Sequence, residues 1–404
     1  MLGADLMIST TVFGVQSAVM NLFLLRLGYD VTAVGRLHAV SVVMYAACAV
    51  AVSAGGLPFR MRPRTAMMLG AMLAQTSNLL VPLALFIPAA GRTPFVLCIM
   101  LFRSLGLGLY TVALQPYLMA ASTPSTHARA YAAWAASGMA GGLVGSLVGG
   151  FLSAASADLL RLTQQHAEPF ALTLLLVGVA TMPAAYLISR AADVGPEPAA
   201  RAGQAAPPSD ERMPLLAIAV MFLMMWLRVT PGAIMYTYGS VFLDQVQGAT
   251  SQAIGTAWSA SMALAIPLVL ASAELIRRFG ADRTLYVSMA AVALVMLPIA
   301  LFDSRPGALV TLVGFNGITH IARTAILLTA MSSVSGRWRT KMAGATETAA
   351  ALSFIAVGFG GGPVIAAWGY DPVFVSGCVS AVLAIVLYRL YRRRSPAPAP
   401  VAAQ

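Results

Sequence analysis

Ala33-Val34-Gly35, followed by an apolar helix-length run and a basic loop ending Arg64-Thr65, returns as Ala253-Ile254-Gly255 with a basic loop ending Arg283-Thr284. The two sets of marks stand about 220 residues apart in a chain of 404. Each copy is carried by long apolar stretches. Only 10% of the residues are charged, 59% are hydrophobic and the mean hydropathy is +0.81. A soluble domain carries about 25% charged residues, so this chain has too little polar surface for water and takes the bilayer as its solvent.

Twelve apolar segments are read at 6–27, 34–57, 65–88, 94–120, 130–154, 169–189, 213–240, 251–275, 285–303, 307–333, 342–367 and 373–391. At about 20 residues per span they use most of the chain and leave no room for a soluble catalytic domain. The predicted fold is an all-α membrane protein of 12 transmembrane helices in two pseudo-symmetric six-helix bundles. Residues 1–190 form the first bundle and 213–394 the second. Residues 191–212, rich in proline and without periodicity, read as a cytoplasmic linker, and 395–404 as a disordered tail. A duplicated six-span unit is the plan of secondary transporters, whose halves rock about a central site.

The net charge of +11 does not point to nucleic acid, because the cations sit in short loops. Arg26, Arg36, Arg92, Arg161 and Arg305 fall on one side, and Arg103, Arg228 and Arg323 fall within spans. All the remaining Lys and Arg, of 25 in total, lie on the side of the termini. The positive-inside bias places both termini in the cytoplasm of a bacterial-type inner membrane. Leu6–Leu27 is too long for a cleavable signal and lacks a basic leader. Cys48, Cys98 and Cys378 match no disulfide or zinc spacing. No cofactor or metal is expected.

Six plus six spans with a basic loop between the second and third resemble the major facilitator superfamily over nearly the whole chain. The family loop Gly-x-x-x-Asp-Arg-x-Gly-Arg-Arg corresponds to Gly55-Gly56-Leu57-Pro58-Phe59-Arg60-Met61-Arg62-Pro63-Arg64. Gly55, Arg60, Arg62 and Arg64 are the inner-gate candidates; Phe59 stands where the family has its latching acid. The second copy keeps Arg278 and Gly280 and has Arg277 at the acid's place. Gly141, Gly145, Gly149 and Gly150 in span five resemble the glycine motif of family exporters. Glycines four apart also form a strip for close helix packing, and ordinary packing is the plainer reading. Arg103-Ser104-Leu105-Gly106-Leu107-Gly108 in span four is a looser match to the family's Arg-x-x-Gln-Gly-x-Gly.

Ionisable groups at membrane depth cost about 2.5–3.5 kcal/mol each on insertion scales and face a cavity or a partner. Asn316, His320 and Arg323 share one face of span ten. His320 is either a proton carrier or a neutral hydrogen-bonded histidine. Glu347 is read as the one acid well inside a span: a candidate proton carrier, or a static partner of Arg323. Arg228 precedes Thr230-Pro231-Gly232, which predicts a bend or break in span seven. Arg103, Tyr110 and Tyr117 recur by sevens in span four, and Gln16 sits mid-depth in span one. The resemblance implies that spans one, four, seven and ten border the substrate cavity, making these residues its lining.

The sequence therefore predicts a monomeric secondary active transporter of a small organic solute, coupled to protons, with efflux as the first expectation. The alternatives are uptake of a small anionic or polar metabolite and a non-transporting sensor or assembly protein on the same scaffold. A membrane-embedded enzyme is disfavoured, since no His-Glu-x-x-His, paired aspartates or nucleophile elbow occurs.

Overall fold

The computed structural model describes residues 1–53, 61–122, 127–193, 213–302, 304–334 and 338–394. Among them are twelve helices long and apolar enough to cross a membrane. They are α1 (Leu2–Arg26), α2 (Val31–Ser53), α3 (Pro63–Phe86), α4 (Ala89–Ala121), α5 (His127–Leu160) and α6 (Glu168–Ser189) in the first half. The second half has α7 (Leu215–Gln245), α8 (Ser251–Phe279), α9 (Ala281–Leu301), α10 (Arg305–Ser332), α11 (Arg339–Trp368) and α12 (Asp371–Arg394). Residues expected as the linker and the tail lie mostly or wholly outside the described set, as do Gly55 and Arg60.

Helix ends follow from local chemistry. Pro63 opens α3, where a missing N–H costs nothing. Thr250 caps α8 by accepting from the Ala253 amide, and Ser304 caps α10 by accepting from that of Gly307. Helix α11 closes on Gly369 at φ 81°, a conformation that favours glycine. Several helices extend beyond their predicted ends. Helix α5 continues through Ser153-Ala154-Ala155-Ser156-Ala157 to Leu160. Helix α1 begins at Leu2 rather than at residue 6, which brings Asp5 into the span.

Two spans change their winding. Helix α1 is a π-helix over Thr10–Met20, and α7 is one over Met235–Gly239. Of the bend or break expected at Pro231, the break does not occur: the helix runs through Pro231 to Ile234 and widens one turn later. A π stretch frees backbone groups from regular pairing and is frequent at functional sites.

The halves meet along α2 with α11 and α5 with α8, with α1 against α7 and α8 between them. The closest approaches lie on the side opposite the termini, here called the distal side. A Cβ added to Gly150 of α5 would stand 2.6 Å from the Ser251 carbonyl oxygen and 3.0 Å from Gly255 Cα of α8. Gly358 of α11 meets the Gly35 carbonyl of α2 in the same way. At the distal end of α1, Arg26 pairs with Asp244 of α7 at 2.7 Å. Its Nε also donates to the Gln164 carbonyl. The distal side is therefore closed.

Candidate functional site: the cavity between the halves

The polar groups at membrane depth fall into three clusters. The first joins the halves just beneath the distal closure. Asn21 of α1 donates to the Tyr236 and Thr237 carbonyls of α7 at 3.3 and 3.1 Å, inside the widened stretch. In return Ser240 donates to the Ser17 carbonyl in the widened stretch of α1. His38 of α2 contacts Asn21 Oδ1 at 2.7 Å and lies within electrostatic reach of Arg103. Neither Asn21 nor His38 stands out in the sequence, because each lies alone in an apolar run.

The second cluster lies toward the terminal side of the first half. Asp5 is 3% exposed and accepts from Tyr110 at 2.8 Å, Trp134 at 3.0 Å and Ser137 at 2.6 Å. It ties α1 to α4 and α5. Glu347 is thus not the only acid within a span; the sequence reading began the first span one residue after Asp5. Of the other predicted lining residues in this half, Tyr117 is buried within electrostatic reach of Arg64 and Asp193. Arg103 is buried with no partner for its Nε among the described residues. Gln16 borders a small cavity with Asn78 of α3 and Leu174 and Val177 of α6, inside the first half.

The third cluster sits in the second half and faces the first. Arg323 of α10 stands 3.7 Å from Glu347 of α11, with side chains 38% and 26% exposed. Both act electrostatically on Tyr45 of α2, across the junction of the halves, so the pair looks into the space between them. Arg228 of α7 is within reach of the same two charges. Its Nη1 donates to the Thr319 carbonyl of α10 at 3.2 Å, and its Nε points to Met225 Sδ. His320 lies within reach of both arginines. Asn316 accepts from Tyr236 at 2.9 Å and donates to Ser261 of α8 at 2.9 Å, which knits α7, α8 and α10 together. Of the predicted stripe on α10, Asn316 is thus engaged by Tyr236 and Ser261, while Arg323 is partly exposed beside Glu347.

The inner-gate loop finds an acid the sequence reading did not assign to it. Arg62 pairs with Asp193, just after α6, at 2.7 Å, and Arg64 lies 3.5 Å from the same carboxylate. The acid that meets these arginines thus comes from the far end of the first half. In the second half the polarity is reversed: Asp282, in the first turn of α9, accepts from Arg392 and Tyr388 of α12.

In span five, Gly141 and Gly145 lie against the α1 backbone at Leu6 and Thr10. Gly149 meets Val19, and Gly150 seats α8. The motif therefore serves one contact within its half and one between the halves.

The sequence matches the family model of the Major Facilitator Superfamily over residues 6–358. The chain belongs to the major facilitator superfamily. Among curated proteins none matches the chain. Solved structures similar to this superfamily member include a D-xylose–proton symporter, with a TM-score of 0.74 at 14% identity over 96% of this chain and 95% of that one. The nucleoside transporter NupG gives 0.70 at 12% identity over 97% and 98%. A bacterial homologue of the human lysosomal transporter Spinster, in an inward-facing unoccupied conformation, gives 0.68 at 14% identity over 98% of each chain. At these identities the likeness shows the shared fold. The protein is a multi-pass membrane protein of this transporter superfamily.

Proposed function

We propose that this protein moves a small organic solute by alternating access through the space between α1, α4, α7 and α10, driven by protons. The observation that carries the coupling is the Arg323–Glu347 contact. At 3.7 Å it exceeds hydrogen-bond length, and both side chains are partly open, so Glu347 can exchange a proton with the cavity while its counter-charge stays close. Asp5, held by three donors, is instead a brace between helices. The chain works as a monomer in a bacterial-type inner membrane with both termini in the cytoplasm. This orientation is supported by the arginines at the terminal-side helix ends. On it, the closed distal side faces outward and the protein is in its inward-facing state. Export is the direction favoured by the α5 glycine strip; uptake is favoured by the excess of arginine over acid at the third cluster.

The test is made in proteoliposomes with a solute first found by its thermal stabilisation of the purified protein. In Glu347→Gln, transport driven by a pH gradient is expected to vanish while counterflow persists. Undiminished pH-driven transport in that variant would sink the coupling role.

A further inference from the structure

The third cluster holds two guanidinium groups and one carboxylate. Glu347 balances one charge, and it does so loosely. Arg228, 7% exposed, meets a backbone carbonyl and a thioether but no acid at hydrogen-bond distance among the described residues. Both are poor substitutes for an anion, because a guanidinium satisfies its fork best with two oxygens of one oxyanion. An uncompensated cation at membrane depth is costly, and the chain keeps one beside the Arg323–Glu347 pair. Arg323 follows Thr319, whose carbonyl holds Arg228, by one helical turn, so the two cations stand close together on α10 and α7, with Arg323 the more exposed.

From this geometry we infer that the solute is an organic oxyanion, a carboxylate or a phosphate ester, bound between Arg228 and Arg323 with Glu347 as the internal counter-ion it displaces. The inference rests on the transport reading above and names the substrate class of that same cavity. Anion binding and Glu347 protonation then favour each other. A proton on Glu347 releases Arg323 to the solute, and the solute's charge replaces the one that Glu347 has lost. The groups acting on this exchange are Arg228 from α7, Arg323 and His320 from α10 and Tyr45 from α2. A monoanion crosses with one proton and no net charge, so the two move in the same direction, which favours uptake.

The experiment is a thermal-shift titration of the purified full chain. The probes are inorganic phosphate, succinate, benzoate and glucose 6-phosphate, with succinamide, benzamide and glucose as neutral counterparts. At least one oxyanion is expected to stabilise the protein more strongly at pH 6 than at pH 8, and its neutral counterpart to have no effect. Carboxylates and phosphates in separate arms tell the two sources apart. Arg323→Gln is expected to raise the half-saturating concentration about tenfold or more. Arg228→Lys, which keeps the charge and loses the fork, is expected to raise it less while remaining monodisperse. Equal stabilisation by the neutral counterparts, an unchanged titration in Arg323→Gln, or silence of every oxyanion overturns the proposal. Liposomes then separate the two readings: movement of a neutral solute leaves transport standing and the anion class refuted, whereas a protein that moves no solute refutes both.

Discussion

Substituting Gly150 by alanine separates the closure of the distal side from the stability of the fold. The three atoms nearest the added methyl all belong to α8: the Ser251 carbonyl oxygen at 2.6 Å, Gly255 Cα at 3.0 Å and Gln252 Cα at 3.4 Å. All three are backbone atoms of the opposite half, so no side-chain rotation relieves the clash and the helices must part. Overpacking of this kind costs about 1–3 kcal/mol. The clash exists only while the distal side is shut, so the cost falls on that state alone and shifts the balance of states about 5–150-fold. The assay is the distance between spin labels on the α1–α2 and α7–α8 loops, read by pulsed electron resonance. Gly150→Ala is expected to move most of the population to the longer, distal-open distance while the melting temperature stays near that of the parent. Gly145→Ala is the control. Its methyl would strike the Thr10 backbone within its own half, in both states alike, so it should lower the melting temperature and leave the distance distribution alone. If Gly150→Ala keeps the parent distribution, or if the two variants behave alike, the contact between α5 and α8 is not what closes this side.

The Arg26–Asp244 pair is the electrostatic counterpart of that seat. Arg26→Asp should open the distal side, and the swap Arg26→Asp with Asp244→Arg should close it again; failure of the swap to restore the label distances would refute a latch. Asp5→Asn keeps the shape but leaves the donors of Ser137, Tyr110 and Trp134 facing an amide with one acceptor oxygen. A loss of about 1–3 kcal/mol should appear as a lower melting temperature in detergent, and an unchanged one would remove Asp5 as a brace.

The twelve spans are readable because a hydropathy run of helical length has few other uses, and α2 to α12 lie near their predicted places. The lining was less readable, for a geometric reason. Helix α1 is apolar on nearly every side, so its sequence does not say which face turns inward, and eleven of its residues wind as a π-helix. A face counted at 3.6 residues per turn drifts along such a stretch. Gln16 accordingly borders α3 and α6, while Asn21, one residue past the stretch, reaches across to α7. Asp5 is not marked by the sequence, because the hydropathy edge falls at Leu6, whereas a carboxylate with three donors can sit below that edge. The partnership of Arg62 and Arg64 with Asp193 joins residues more than a hundred positions apart, and nothing local marks it.

The duplicated triplets gain a physical reason from the structure. Gly35 and Gly255, the glycines of Ala33-Val34-Gly35 and Ala253-Ile254-Gly255, each meet a glycine of the other half: Gly358 on α11 and Gly150 on α5. One copy of the unit cannot use such a glycine alone, because its mate lies in the opposite bundle, and the pseudo-twofold axis produces the contact twice. A side chain at either position would hold the halves apart on the distal side, so the requirement for the smallest residue falls on both copies at once. The deep charges carry no such requirement. Only the second half brings two arginines and a glutamate together at membrane depth, while in the first half Asp5 is held by neutral donors and Arg103 stands apart from it beside His38. On the reading proposed above, the symmetric part of the sequence serves the motion and the asymmetric part the solute.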